Sequence, residues 1–193
     1  MEGQENKRAL AIFSRYPIQE IETKYFGNKS NGFQSVDLQL DGQKVRLLNI
    51  HLQTNAISVM ADKVASEGNL QEKETWLNIR GIMGRYRRSA RKRATQAKEI
   101  AGHINQSPYP TLVCGDFNDV PQSYTYYTVS SGLQDAFKRK GRGLGITYAG
   151  KIPGLRIDYI LANHQFKILD HRILDSNFSD HYPVKSVVLL DQP

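Results

Sequence analysis

The chain has one cysteine, one tryptophan and three methionines in 193 residues, and no apolar run longer than a short strand. A lone cysteine, Cys114, excludes an intramolecular disulfide. Its neighbours Leu112 and Val113 favour a buried structural thiol over a nucleophile. No stretch approaches the roughly 18 apolar residues of a membrane span, so the chain as supplied reads as soluble. Residues Met1 to Arg8 are polar, lack the apolar centre of a signal peptide and read as a disordered tail without an export address. No internal repeat is present, which excludes solenoids and propellers. With no cysteine cluster and no closely spaced histidine pair, a zinc site is a poor fit.

What the chain does contain suits one folded domain over residues 1–193, since 39% of it is hydrophobic and 23% charged. The net charge of +7 is local. Arg80 to Lys98 holds eight basic residues (Arg80, Arg85, Arg87, Arg88, Arg91, Lys92, Arg93 and Lys98) and no acidic one, while the remainder carries 18 basic against 19 acidic residues. Such a run can meet nucleic acid or an anionic membrane surface, or can be the solvated face of an outer helix.

Short apolar runs alternate with turn residues. Ala9 to Ser14 predicts a buried strand. Ser35 to Leu40 and Lys44 to Leu52 flank Asp41-Gly42, the signature of a tight hairpin. Residues 56–73 are polar and irregular and read as a loop with some helical turns. Trp76, Ile79, Met83, Tyr86, Ala90, Ala94, Ala97, Ala101 and Ile104 recur at spacings of three and four and mark one apolar helix face. Gly81 and Gly84 each cost about 1 kcal/mol in a helix, which predicts an irregularity there and a firm helix over 86–105. Thr111 to Gly115 reads as a buried strand, followed by short helices over 122–130 and 134–139. Residues 156–162, 166–174 and 184–190 complete the strands. Strands outnumber helices, and the pattern predicts two packed sheets with helices outside.

Polar residues cluster at the strand ends: Asn49 and His51, Asp116 and Asn118, Asp158, then Asp180 and His181. Side chains alternate along a strand, so Asn49 shares a side with His51 and Asp116 with Asn118. Each has a structural explanation as well as a chemical one. Asn and Asp close turns by bonding their own backbone, either histidine can satisfy a carbonyl, and Asp158 needs a partner because a buried lone carboxylate costs several kcal/mol. Together, three carboxylates, an amide and two histidines suit hydrolysis of a phosphoester assisted by a hard cation such as Mg²⁺ or Mn²⁺.

His-Leu at 51–52, Gly-Asp-Phe-Asn at 115–118, Arg-Ile-Asp-Tyr-Ile at 156–160 and Ser-Asp-His-Tyr-Pro at 179–183 follow in an order that resembles the endonuclease/exonuclease/phosphatase superfamily, of which deoxyribonuclease I is a member. The resemblance runs from about residue 9 to residue 190, and Ala-Ile-Phe-Ser-Arg-Tyr-Pro-Ile at 11–18 also fits it. It implies an α/β fold, a four-layered α/β/β/α sandwich, and a metal-dependent phosphoesterase. It assigns catalytic roles to His51, Asp116, Asn118, Asp158 and His181. Asp116 would orient the attacking water, Asn118 and His51 would touch the phosphate, and Asp158 would hold His181. Asp180 and Asp116 would hold the metal, with Asn49 and Asn118 on the substrate.

The same resemblance places an Asn and a principal metal-binding Glu upstream of the first motif, and this sequence has no counterpart of either. Glu2 and Glu5 lack the apolar strand that should precede that Glu. The expectation is therefore the C-terminal two-thirds of a family domain, with weakened metal binding, impaired turnover and strand edges that a second copy could cap. Further likeness to bacterial members preceded by membrane-spanning helices, carried by Ser-Pro-Tyr-Pro at 107–110 and Lys-Gly-Arg-Gly at 140–143, implies a membrane-associated parent. Substrate partners consistent with the core are nucleic acid, phospholipid or a small phosphoester. The competing reading is a catalytically silent basic module acting through Arg80 to Lys98.

Overall fold

The computed structural model describes residues 10–27, 30–54, 73–150 and 154–191, with backbone only for 73–79 and 82. The expectations for residues 1–8 and 56–72 lie outside the described residues. Among the described residues, eight strands and three helices follow in the order β1 (Ile18–Tyr25), β2 (Gly32–Leu40), β3 (Gln43–His51), α1 (Lys73–Asn105), β4 (Thr111–Asp116), α2 (Tyr124–Ser130), β5 (Leu133–Asp135), α3 (Ala136–Lys140), β6 (Asp158–Asn163), β7 (Phe166–Ile173) and β8 (Val184–Leu190).

The strands form a six-stranded sheet ordered β1-β2-β3-β4-β6-β5 and a two-stranded sheet of β7 and β8. The hairpin at Asp41-Gly42 forms as its sequence demands: both residues take positive φ, 44° and 87°, and β2 pairs antiparallel with β3 without a slip. β3 then runs parallel to β4, which pairs antiparallel with β6.

Apolar residues on both faces of the central strands bury the large sheet on two sides. One face packs Leu48, Ile50, Val113 and Leu161 against Ala97, Ile100 and Ile104 of α1 and Val129 of α2. The other packs Val45, Leu112, Ile160 and Ala162 against Phe166, Ile168, Val188 and Leu190 of the small sheet. The fold is thus the predicted mixed α/β class, with helices outside packed sheets.

Three local expectations need correction. Residues 10–14 form no strand, and Phe13 is 95% exposed; no described strand lies beside them to supply ladder hydrogen bonds, and β1 begins only at Ile18. Leu133 to Asp135 is a strand, because it pairs with Asn163 to Leu161 while the Gln134 amide donates to the carbonyls of Asn163 and Phe166. The helix starts only after Asp135, whose carboxylate accepts from the N–H groups of Phe137 and Lys138 and so acts as the cap. Finally, α1 runs unbroken through Gly81 and Gly84. The glycine penalty lowers its stability without redirecting the chain, and the stripe residue Met83 is 50% exposed, so the helix is anchored by its C-terminal half.

Candidate active site

On the face of the large sheet that meets the small sheet, each central strand changes from apolar to polar toward one end. β3 passes from Val45 and Leu47 to Asn49 and His51, β4 from Leu112 and Cys114 to Asp116, and β6 from Ala162 and Ile160 back to Asp158. The register then does the rest. His51 pairs with Asp116, and Asp116 pairs with Asp158, so the three side chains stand in one row across β3, β4 and β6.

Gly115 makes the row possible. Its φ is +137°, and a Cβ there would lie 1.9 Å from the Ile50 carbonyl oxygen, so only glycine lets β4 approach β3 at this point. Beyond the strand, Asn118 takes a left-handed φ of 51°, which asparagine tolerates better than most residues. Its backbone N–H donates to Asp116 Oδ1 at 2.7 Å, and its amide donates to Asp116 Oδ2 at 2.7 Å and to the Leu52 carbonyl at 3.1 Å. The expected juxtaposition of Asp116 and Asn118 is present, but its cause is this turn rather than strand alternation.

His181 arrives from the loop before β8. Its Nδ1 lies 3.0 and 3.2 Å from the two carboxylate oxygens of Asp158, leaving Nε2 to face elsewhere. Asp158 favours the imidazolium and pushes the His181 pKa up to about 9 despite partial burial. Asp116, its side chain 17% exposed, is pushed up to about 7, first by burial and then by the charge of Asp158. His51 Nδ1 lies 2.6 Å from the Ser30 carbonyl, which can only accept, so that nitrogen carries a proton. Its Nε2 lies 3.5 Å from Asp116 Oδ2.

The donor atoms of Asp116, Asp158 and His181 fall within 4.8 Å of one another, a spacing that could surround one cation. The fit is chemical as well: two carboxylates whose like charges repel are what a hard divalent ion neutralises. Asp180 is exposed and stands outside this trio, although its charge still acts on His181. Asn49 donates to the Ala11 carbonyl at 3.2 Å, which ties it to the N-terminal segment. Burial pushes the Cys114 thiol up to about 11, in keeping with a structural cysteine.

Supporting residues had little signal in the sequence. Thr147, buried in a loop that carried no readable motif, accepts the N–H groups of Ile157 and Asp158 on its hydroxyl at 2.9 and 3.1 Å and the Tyr182 N–H on its carbonyl at 2.7 Å. It thereby fixes Asp158 and the His181 loop together. The Tyr148 ring meets the His181 ring edge-on at 5.4 Å. Arg156, within a quoted motif, is structural: it pairs with Asp135 at 2.9 Å among the rings of Tyr126, Phe137 and Tyr159. Arg93, counted above with the surface basic run, is fully buried, and its Nε lies 2.9 Å from Asp119, in the turn after Asn118. It ties α1 to the site and leaves seven exposed cations in the run.

No described helix is long and apolar enough to cross a membrane. No curated protein matches the chain in sequence. Among solved structures it resembles an endonuclease/exonuclease/phosphatase from Beutenbergia cavernae (18% identity, TM-score 0.57, covering 86% of this chain and 41% of that one). Another from Bacteroides vulgatus matches at 18% identity with a TM-score of 0.56, over 90% of this chain and 67% of that one. A conserved protein of unknown function from Enterococcus faecalis matches at 19% identity with a TM-score of 0.56, over 90% and 68%. The chain thus spans between 41% and 68% of the length of these three structures, and at such identities the likeness is one of fold. The sequence pattern of the Endonuclease/Exonuclease/phosphatase family, however, extends over residues 2–181, and the chain belongs to that family.

Proposed function

We propose that the chain carries the hydrolytic site of a divalent-metal-dependent phosphoesterase, with phosphodiesters as substrates, acting by direct attack of water. The observation that carries this reading is the in-register row His51–Asp116–Asp158, with His181 held on its last member. Family membership supports phosphoester chemistry in general.

Asp116 would hold Mg²⁺ or Mn²⁺, with Asp158 close by and Asp180, outside the trio, helping through water, and the ion would supply positive charge against the phosphate and the leaving oxygen. The chain's own groups divide the remaining work. Asp116 orients the water. His181, aligned through Nδ1 by Asp158, takes the water's proton on Nε2 in its neutral form, which the charge of a bound cation would favour against the raised pKa, and Asp158 stabilises the imidazolium that results. His51, fixed by Ser30, would hold the phosphate oxygens in line, joined by the Asn118 amide when it exchanges its bond to Asp116 for one to phosphate. Asn49, on the same face of β3 as His51, would reach substrate on giving up the Ala11 carbonyl.

The test is hydrolysis of a chromogenic phosphodiester and the matching monoester by the full chain, with Mg²⁺, with Mn²⁺ and with chelator. Turnover that needs metal and falls at least 100-fold in Asp116→Asn and His181→Ala is expected. A folded, metal-loaded protein that hydrolyses neither ester, or one indifferent to both substitutions, removes the reading.

A second reading rests on a different observation. Among the described residues 80–92 of α1 no side chain is buried, and six of them are exposed arginines or lysines. A silent module binding nucleic acid or an anionic membrane surface through Arg80 to Lys98 would show a steep loss of affinity with salt and no turnover.

A further inference from the structure

A cavity of about 450 Å³ lies between α3 and β7. That volume falls within the roughly 300–1,000 Å³ of small-molecule sites. Phe137, Lys140 and Arg142 line one side of it, and Asp170, His171, Arg172 and Ile173 of β7 line the other. Neither the His51–Asp116–Asp158 row nor His181 takes part in the lining. The wall beside α3 is held in place by close packing. After α3 the chain folds over the Phe137 ring so tightly that neither Gly141 nor Gly145 has room for a Cβ against it, and the Gly141 N–H donates to the Phe137 carbonyl at 2.7 Å. Arg142 is thus carried between two points of contact with the ring that lines the cavity.

Two independent observations point to an anion as the occupant. The first is charge. Lys140, Arg142 and Arg172 line the cavity with one carboxylate, Asp170, which pairs with Arg172 at 2.8 Å. Among the described residues neither Lys140 nor Arg142 has an acidic partner, so the lining carries an excess of two positive charges. The second is His171, which is only 6% exposed. Its Nδ1 lies 2.7 Å from Ser186 Oγ, and among the described residues no hydrogen bond engages its Nε2. A buried ring nitrogen is costly without a partner, and the cavity is where one can reach it. Burial lowers the His171 pKa, so the ring is neutral at pH 7 and offers a single N–H. With the Ser186 hydroxyl donating to Nδ1, that N–H stands on Nε2 as a donor to the cavity.

A carboxylate or a phosphodiester would bring one negative charge to an excess of two. A phosphate carried as a monoester brings nearly two at neutral pH, with three acceptor oxygens for the ammonium, guanidinium and imidazole donors. Phe137 and Ile173 add apolar surface for an organic part. A nucleic-acid strand fits less well, because its phosphates are singly charged diesters that call for a track of cations along a groove.

We propose that the cavity between α3 and β7 is a binding site for a dianionic phosphate, held by Lys140, Arg142, Arg172 and the His171 Nε2–H, and either borne by a small molecule or free as inorganic phosphate. This site does not depend on the phosphoesterase reading.

The experiment is calorimetric titration of the full chain in chelator, at mildly alkaline pH and constant ionic strength, with inorganic phosphate, phenyl phosphate and dimethyl phosphate, beside nitrogen-15 NMR of the histidine rings. The first two probes are expected to bind, and the singly charged diester to bind at least tenfold more weakly. Lys140→Gln and Arg142→Gln, both at exposed positions, should each weaken phosphate binding about tenfold, as the loss of one charge-assisted hydrogen bond implies. The His171 Nε2 signal should move on adding phosphate to the wild type and stay still in the double variant. Tighter binding of phenyl phosphate assigns the site to a phosphomonoester, and equal affinity assigns it to the free ion; both uphold it. Absence of wild-type binding, equal binding by the double variant, or dimethyl phosphate bound as tightly as phosphate overturns it. Turnover of a soluble phosphodiester should be unchanged in the double variant. Phosphate binding without any turnover leaves the cavity site standing and rejects the phosphoesterase reading, and turnover without phosphate binding does the reverse.

Discussion

Replacing Arg93 with methionine tests whether the helix layer and the active-site turn are one structural unit. Arg93 is fully buried, its Nε is 2.9 Å from Asp119 Oδ2, and its Nη1 donates to the Gln53 carbonyl at 3.1 Å. The guanidinium cannot shed its charge, so removing it leaves Asp119 buried without its cation. Breaking one half of such a pair costs about 3–5 kcal/mol. Here the lower end applies. Methionine retains most of the volume, and Asp119 still accepts from the Thr125 hydroxyl at 2.8 Å and the Val120 N–H at 3.2 Å. A loss of about 3 kcal/mol from a total of about 5–15 kcal/mol is severe. In urea, with a slope of about 2 kcal/mol per molar, it moves the midpoint down by roughly 1.5 M. The companion variant Arg93→Met with Asp119→Leu should recover part of the loss, because neither charge is then stranded. A single-variant loss below about 1 kcal/mol, or strict additivity in the double variant, would refute the account of Arg93 as a buried tether.

Two further outcomes follow from the same geometry. Gly115→Ala should cost about 3 kcal/mol or more, since both a φ of +137° and a Cβ at 1.9 Å from backbone oppose it; near wild-type thermal stability would contradict the close approach of β3 and β4. In chelator, stability should fall as pH rises in two stages. Asp116 binds its proton more tightly folded than unfolded, so its contribution declines from about pH 4 to its folded value of about 7. His181, also raised, contributes fully below its unfolded value of 6.5 and loses that contribution as pH passes about 9. Asp116→Asn should erase the first stage and Asp158→Asn the second; unfolding curves recorded across this range with unchanged slopes in both variants would show the assignment to be wrong.

The sequence made some of this molecule readable and concealed the rest for physical reasons. Asp41-Gly42 announced its hairpin because positive φ is a local demand that few residues meet. The motifs around Asp116 and Asp158 were visible because polar groups interrupt otherwise apolar strands. What could not be read depends on partners distant in the chain. Ala11 to Ser14 has strand composition but no described neighbour to pair with, and Leu133 to Asp135 has a neighbour its composition does not reveal. Arg93 looked like one more surface cation, since nothing local to α1 indicates that Asp119 waits beneath it. Thr147 is an ordinary loop threonine until the Asp158 N–H is set against its hydroxyl. Separate placement of Asp180 from the carboxylate pair likewise depends on the path of its loop.

The row of His51, Asp116 and Asp158 also has a consequence for how the protein comes together. Its members are 65 and 42 residues apart in sequence, and His181 adds a further 23. No helix or hairpin can assemble them locally, so closure of long chain loops must precede the site, a slow step relative to forming hairpin β2–β3 or helix α1. The central three strands, however, are its whole platform. The edge strands β1 and β5 can fray without taking the row apart, whereas an opening between β3 and β4 dismantles it at once. Amide exchange should therefore be slowest along β3, β4 and β6, making the chemical centre part of the last region to open instead of a mobile addition to the fold.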